Sequence, residues 1–207
     1  MRETDIVDLW AIEKEKREQG FALIAGVDEA GRGPLAGPVC AAAVLLPFGL
    51  EIPGLNDSKK LTDKKRSELY DVIVEKALAY GIAMVDEKVI DEINILQATF
   101  RAMEDAMLQL KVKPDLVLID GNRSRDFPFP VETVVKGDSL SANIAAASIL
   151  AKVTRDRFME KMALEYPDYG FEIHKGYGTK AHYAAIAEHG PSAIHRRTFL
   201  KKFYGEK

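Results

Sequence analysis

Residues 21–47, FALIAGVDEAGRGPLAGPVCAAAVLLP, decide the fold. FALIAGVD reads as an apolar strand that ends in Asp28 and Glu29. PVCAAAVLLP, bounded by Pro38 and Pro47, reads as a second strand. The loop between them places Gly31, Gly33 and Ala36 at the spacing of a dinucleotide-binding fingerprint. Two features argue against that use. Such a loop should open a helix, whereas a proline-bounded strand follows here. Asp28 and Glu29 would also repel a diphosphate. Two readings remain open. The loop is a tight turn, because glycine permits positive φ, or it brings backbone close to a nucleotide held at a carboxylate-bound metal, with Arg32 as a cation.

Working outward, strands and helices alternate. Thr4 can cap a helix to Gln19, and Gly20 stops it. Thr62 can cap a second helix through Tyr80, with Gly81 after it, and IAMVDE (82–87) follows as a short strand. A third helix spans about Val89 to Leu110, with Ile93, Phe100, Met103 and Met107 turned inward. DLVLIDG (115–121) is a buried strand, VETVVKGD (131–138) another, and a long helix runs from Leu140 to Pro167. HKGYGT (174–179) is a loop before a last clear helix, Thr179 to Glu188. This order predicts a layered α/β domain with a helical C-terminal part. The expected organisation is one catalytic domain over 1–207. It divides into an N-terminal helix (1–20), a core (21–165) and a helical C-terminal part (166–207).

Apolar residues make up 47% of 207, enough for a sizeable core. The formal net charge of −3 does not announce a nucleic-acid binder, so local charge must do so. Lys59, Lys60, Lys64, Lys65 and Arg66 crowd one segment, and His195, Arg196, Arg197, Lys201 and Lys202 another. The single cysteine, Cys40, rules out an internal disulfide or a thiolate cage and reads as a small buried hydrophobe. No apolar run approaches the roughly 20 residues that span a bilayer. The charged N-terminus does not read as a secretory signal, so a cytoplasmic protein is expected. The four histidines show no ligand spacing.

Three apolar stretches run into acids: Asp28 with Glu29, Asp120, and Asp138. If the strands share a sheet edge, the carboxylates converge and repel unless a cation joins them. Oxygen-only ligands suit Mg²⁺ or Mn²⁺. The alternative is that these acids cap helices or pair with Arg123, Lys136 or Arg155.

GVDEAGRGPLAGPV (26–39) resembles the signature of the ribonuclease HII family, the type 2 ribonucleases H. NDSKKLT from Asn56, LIDG at Asp120, KGD at Asp138, IAAASILAKVTRD (144–156) and HKGYGT (174–179) agree with it, and these blocks reach from about residue 21 to 200. The resemblance implies a ribonuclease H-like fold, a mixed five-stranded sheet flanked by helices. It implies an endonuclease that cuts the RNA strand of RNA–DNA hybrids and the 5′ side of single ribonucleotides in duplex DNA. It further implies Asp28, Glu29, Asp120 and Asp138 as ligands of two Mn²⁺ or Mg²⁺ ions. Gly31, Arg32 and Gly33 would read the ribose 2′-hydroxyl, Tyr177 would stack on the following sugar, and Ser58 and Lys59 would hold phosphates.

A sister enzyme, ribonuclease HIII, generally carries an extra N-terminal domain and a lysine in the glycine loop, where this chain has Arg32. A non-catalytic hybrid-binding module would be signalled by a lost acid, and all four are present. The expected protein is a monomer acting on hybrids and ribonucleotide-containing DNA, with no membrane partner. Leu200, Phe203 and Tyr204 have the spacing of a sliding-clamp plug, with Arg197 where such plugs carry glutamine; the alternative is a tail packed on its own core.

Overall fold

The computed structural model describes residues 7–56 and 58–205. The expected Thr4 cap lies outside them. The first helix, α1, covers Ala11–Glu18. Five strands follow the sequence reading: β1 (Ile24–Ala30), β2 (Val39–Leu45), β3 (Ala79–Val85), β4 (Leu116–Asp120) and β5 (Val131–Val134). They form one sheet in the order β3-β2-β1-β4-β5. β2 runs antiparallel to both β1 and β3, whereas β4 runs parallel to β1 and β5 parallel to β4. The mixed five-stranded sheet expected from the resemblance is therefore present.

Helices cover both faces. On one, α2 (Asp63–Lys76) and α4 (Ala142–Glu165) pack over Cys40, Ala42 and Val44 of β2. On the other, α3 (Glu87–Leu108) packs over Ala41, Ala43, Ala25 and Val27. Burial on both sides explains why β1 and β2 read as continuous apolar runs rather than alternating ones. Cys40 is fully buried, and burial pushes its thiol up to about 12, so it stays an inert thiol.

The first helix starts later than expected, because residues 7–10 are not helical, and three further boundaries differ from the sequence reading. The second helix stops at Lys76, not Tyr80, because Leu78 N already pairs with Leu45 O and the chain joins β2 as β3. Gly81 is a strand residue, required by close packing: a Cβ there would lie 2.1 Å from Ala106 O on α3. The third helix is broken at Asn94 (φ 64°), whose Oδ1 caps the second half by accepting from Leu96 N and Gln97 N. β5 ends at Val134, so Asp138 does not end a strand. It sits in a one-turn 3₁₀ helix, Gly137–Ser139, entered through Lys136 in left-handed backbone.

The C-terminal part adds α5 (Phe171–His174), α6 (Lys180–His189) and α7 (Arg197–Leu200) around Tyr169, Phe171 and Met159. α1 docks on the α4 side of the sheet. Leu9 O accepts from Ala142 N, and buried Glu13 Oε1 accepts from the Ser141 hydroxyl at 2.5 Å and from Asn143 N at 3.3 Å. A carboxylate at a helix N-terminus is favourably placed, so α1 caps α4 just beyond the Asp138 turn. No helix among the described residues is long and apolar enough to cross a membrane.

Candidate active site

The acids meet at the C-terminal ends of β1 and β4, where parallel neighbours release their side chains together. Asp28, Asp120 and Asp138 each bring a carboxylate oxygen within 4.8 Å of the others. Asp28 faces the α4 side of β1 and is buried. Its proton affinity rises well above the usual carboxylate range, through burial first and then the charges of Glu29 and Asp120. The Ser148 hydroxyl on α4 and the Glu29 amide pull it partly back. Asp120 is raised by burial and by Asp138, against hydrogen bonds from the amides of Gly137 (2.7 Å) and Asp138 (3.4 Å).

Glu29 stands apart from this trio. Successive strand residues point to opposite faces, so Glu29 emerges on the α3 side, in a groove with Arg32, Phe100, Asp120 and Arg123. Burial raises its proton affinity, and Arg32, 3.2 Å away, opposes the rise. The Asp120 charge still reaches it.

Lys59 Nζ lies 3.2 Å from Asp138 Oδ2, with its side chain 74% exposed. That is an exposed lysine at the rim of the trio, paired with one of its carboxylates. Ser58 differs from the expectation. It is buried, and its hydroxyl is engaged with that of Ser148 at 2.8 Å, so its side chain braces the floor beneath Asp28 instead of facing outward.

The glycine loop and Tyr177 come together. The Tyr177 ring is 43% exposed and borders Gly33, where an added Cβ would sit 3.8 Å from Cε1. Gly31 has φ +96°, and a Cβ there would strike Arg155 at 2.1 Å, so only glycine fits. Sequence reasoning missed what holds this loop. Arg155 donates to the carbonyls of Pro38 (2.9 Å), Ala36 (3.1 Å) and Lys175 (3.0 Å). Arg196 donates to those of Gly37 (2.9 Å), Arg32 (3.0 Å) and Gly31 (2.6 Å). Both guanidinium groups are buried, and burial lowers the Arg196 value to about 9. Their planar forks turn the loop carbonyls inward. Arg155 is thus no partner of the acids. Arg196 and His195, which the sequence placed in a basic surface run, are interior residues.

The tail is divided. Leu200 is buried in the C-terminal core, Phe203 stacks on Tyr183 with ring centroids 5.5 Å apart, and Tyr204 is half exposed.

A sequence profile of the family Ribonuclease HII matches residues 25–202. A ribonuclease HII of Geotalea uraniireducens is 60% identical over 183 residues, 88% of this chain and 85% of that one. One of Geobacter sulfurreducens is 56% identical over 200 residues, 96% and 92% of the two chains. Among solved structures, the ribonuclease H2 of Pyrococcus horikoshii superposes with a TM-score of 0.72 at 27% identity, covering 90% of this chain and all of that one. A PCNA complex of ribonuclease HII from Archaeoglobus fulgidus gives 0.72 at 25% identity, covering 86% and 94%. The matched stretch takes in all three converging aspartates, the glycine loop and both of its buried arginines. Agreement over most of the sequence and over the fold therefore has one reading, that this chain belongs to the ribonuclease HII family.

Proposed function

We propose that the protein is an endonuclease that hydrolyses the RNA strand of RNA–DNA hybrids. It also cuts 5′ of a single ribonucleotide embedded in duplex DNA, leaving 3′-hydroxyl and 5′-phosphate ends. The observation that carries this reading is the meeting of Asp28, Asp120 and Asp138 at a buried edge where their charges oppose one another. An all-oxygen set under mutual repulsion fits hard divalent ions, Mg²⁺ or Mn²⁺. The three aspartates would hold them, with Glu29 approaching from the other face of β1. Bound ions would supply Lewis acidity toward an attacking water and neutralise charge on the leaving oxygen.

The rest is done by the chain itself. Lys59 at the rim suits a neighbouring phosphate, a contact that positions without reading sequence. With its carbonyls held by Arg155 and Arg196, the loop at Gly31–Gly33 can approach a ribose closely, and the 2′-hydroxyl is the group that separates RNA from DNA. The Tyr177 ring beside Gly33 offers a stacking face to the next sugar. Substrate partners are thus hybrids and ribonucleotide-containing duplexes. A sliding clamp as a further partner is supported by the archaeal relative solved with PCNA; loss of clamp binding after deletion of residues 201–207 would test it.

The deciding experiment is incubation of a DNA duplex holding one ribonucleotide, with Mn²⁺, with Mg²⁺, and with EDTA. Cleavage on the 5′ side with either ion and none in EDTA is expected. Cleavage in EDTA would overturn the metal chemistry.

A further inference from the structure

His174, His182 and His195 lie 8 and 13 residues apart in sequence yet meet beneath the Tyr177 loop. The rings of His174 and His182 stack at 4.4 Å, and His182 Nε2 lies 2.9 Å from His195 Nε2. Each ring nitrogen of the three has a partner. His182 Nδ1 faces the Tyr177 carbonyl at 2.9 Å. A carbonyl only accepts, so Nδ1 carries the hydrogen and Nε2 of the neutral ring must accept. His195 Nε2 then donates to it, and His195 Nδ1 accepts from Ser192 N at 2.9 Å and from the Ser192 hydroxyl at 2.8 Å. His174 donates from Nε2 to Tyr169 O at 2.7 Å and accepts at Nδ1 from Gly176 N at 3.2 Å. The His182 assignment forces that of His195, and the Tyr169 carbonyl fixes His174 separately. A second proton on His182 or His195 would set N–H against N–H.

The titratable and charged groups facing this chain are His174, the Tyr169 ring and Arg197. Burial, with the neighbouring histidines and Arg197, lowers His182 to about 4 and His195 to about 3, so both stay neutral at working pH. Fixed neutral tautomers make a directional tether. Its end is the main chain of Tyr177, and its root is the segment that also carries Arg196. His195 is bridged to Ala36, and Arg196 N donates to Leu35 O at 2.8 Å.

We infer that His182 and His195 are positioning residues: the relay from Ser192 through His195 and His182 to the Tyr177 carbonyl fixes the Tyr177 ring against Gly33. One short segment, Ser192–Arg196, thereby sets both elements that would grip the ribonucleotide, the glycine loop through Arg196 and the tyrosine through His195. This rests on the reading of Tyr177 as the residue under the sugar.

Two measurements test it. Long-range ¹H–¹⁵N correlation on the wild-type protein should show His182 as the Nδ1–H tautomer and His195 as Nε2–H, neither titrating from pH 8 to pH 5. The opposite tautomer, or titration near 6.5, would overturn the relay without any variant having to fold. The second is cleavage at a single ribonucleotide. H182N keeps a donor near the Nδ1 position but loses the acceptor for His195, so it cuts the relay at its other link and should also lower kcat, though less than H182Q. H182Q keeps an acceptor for His195 but loses the donor to Tyr177, and should lower kcat about fivefold, the loss that goes with one ordinary hydrogen bond. In a Tyr177→Ala background H182Q should add almost nothing, because the two act through one ring. Equal losses in both backgrounds would overturn the inference alone. Wild-type cleavage by Tyr177→Ala would instead overturn the sugar-contact reading and the functional half of this inference, while the tautomer pattern still judges the relay.

Discussion

Asp120 Oδ1 accepts the amide hydrogen of Gly137 at 2.7 Å, so the aspartate that ends β4 also holds the turn that carries Asp138. Two substitutions separate these roles. Asp120→Asn keeps an oxygen for Gly137 N but gives up the charge. Its thermal midpoint should not fall below wild type, since the change also relieves charge repulsion, while cleavage falls by at least about 100-fold, more than loss of a residue behind a metal ligand costs. Asp120→Ala also loses the hydrogen bond and should be less stable by about 1 kcal/mol. Unfolding and cleavage are measured side by side. Full activity in Asp120→Asn would remove the residue from the site.

The same cluster predicts a linkage between metal, pH and stability. Asp28, Glu29 and Asp120 all hold protons more tightly in the folded chain than in the unfolded one. Their contribution to stability is full below the ordinary carboxylate value, and is lost as pH rises through the raised folded values. The metal-free protein should therefore carry strain at pH 8. Millimolar Mg²⁺ or Mn²⁺ should raise its thermal midpoint there, and less at pH 5, where protons compete. Asp28→Asn should raise the midpoint in EDTA at pH 8 and shrink the metal-induced shift. An unchanged shift would take Asp28 out of the ligand set. The histidines act with the opposite sign. Their folded values are lowered, so their contribution is full above about 6.5 and is lost as pH falls through about 4 and 3.

The two buried arginines predict a cost confined to the glycine loop. Arg196→Met strips donors from the carbonyls of Gly31, Arg32 and Gly37. An orphaned buried acceptor costs about 1–3 kcal/mol, so a loss of several kcal/mol in urea unfolding is expected. Arg196→Lys should recover little of it, because an ammonium cannot span three carbonyls as a planar fork does. A change under about 0.5 kcal/mol, ordinary for a surface site, would return Arg196 to the basic surface run.

Asp28 and Asp120 were legible in sequence because each closes a run of apolar residues, and a carboxylate there demands an explanation. Asp138 was legible as an acid but not as a turn residue, since the ladder ends four residues earlier at Val134. Glu29 looked equivalent to Asp28. The two-residue period of a strand separates them, and only the packing of α3 and α4 on opposite faces reveals which goes where. Arg155, Arg196 and the histidines stayed hidden for a different reason. The arginines are buried by a segment more than 100 residues away, Gly31–Pro38, and the histidines by one another and by Tyr169 and Phe171 in the folded C-terminal part. The misplaced end of α2 has the same origin, because pairing with Leu45 overrode a helical apolar pattern.

Lys59 tests the electrostatic side. Its ammonium is exposed and 3.2 Å from Asp138. If it also meets a phosphate, Lys59→Ala should weaken binding to all hybrid sequences about equally. The slope of log K against log salt should fall by about 0.9, the share of one phosphate contact on a duplex. A slope unchanged from wild type would mean that Lys59 makes no phosphate contact.

The final prediction concerns what is recognised and which bond breaks. A glycine loop and one tyrosine ring can grip a single ribonucleotide and the sugar after it, and neither needs a run of ribonucleotides. Cleavage at a lone ribonucleotide should thus approach that of long hybrids. Tyr177→Ala should lower it about tenfold, as removal of a stacking face worth roughly 1–3 kcal/mol implies. Tyr177→Phe should be mild, since the ring supplies the face. Neither change should alter metal-induced stabilisation, because Tyr177 lies outside the aspartate trio. The chemistry is checked by the ends of the products. In hydrolysis by water the 2′-hydroxyl is read but does not attack, so the ends are a 3′-hydroxyl and a 5′-phosphate. Attack by the 2′-hydroxyl would instead leave a 2′,3′-cyclic phosphate. That product, or good cleavage of long hybrids beside none at a lone ribonucleotide, would overturn the proposed recognition.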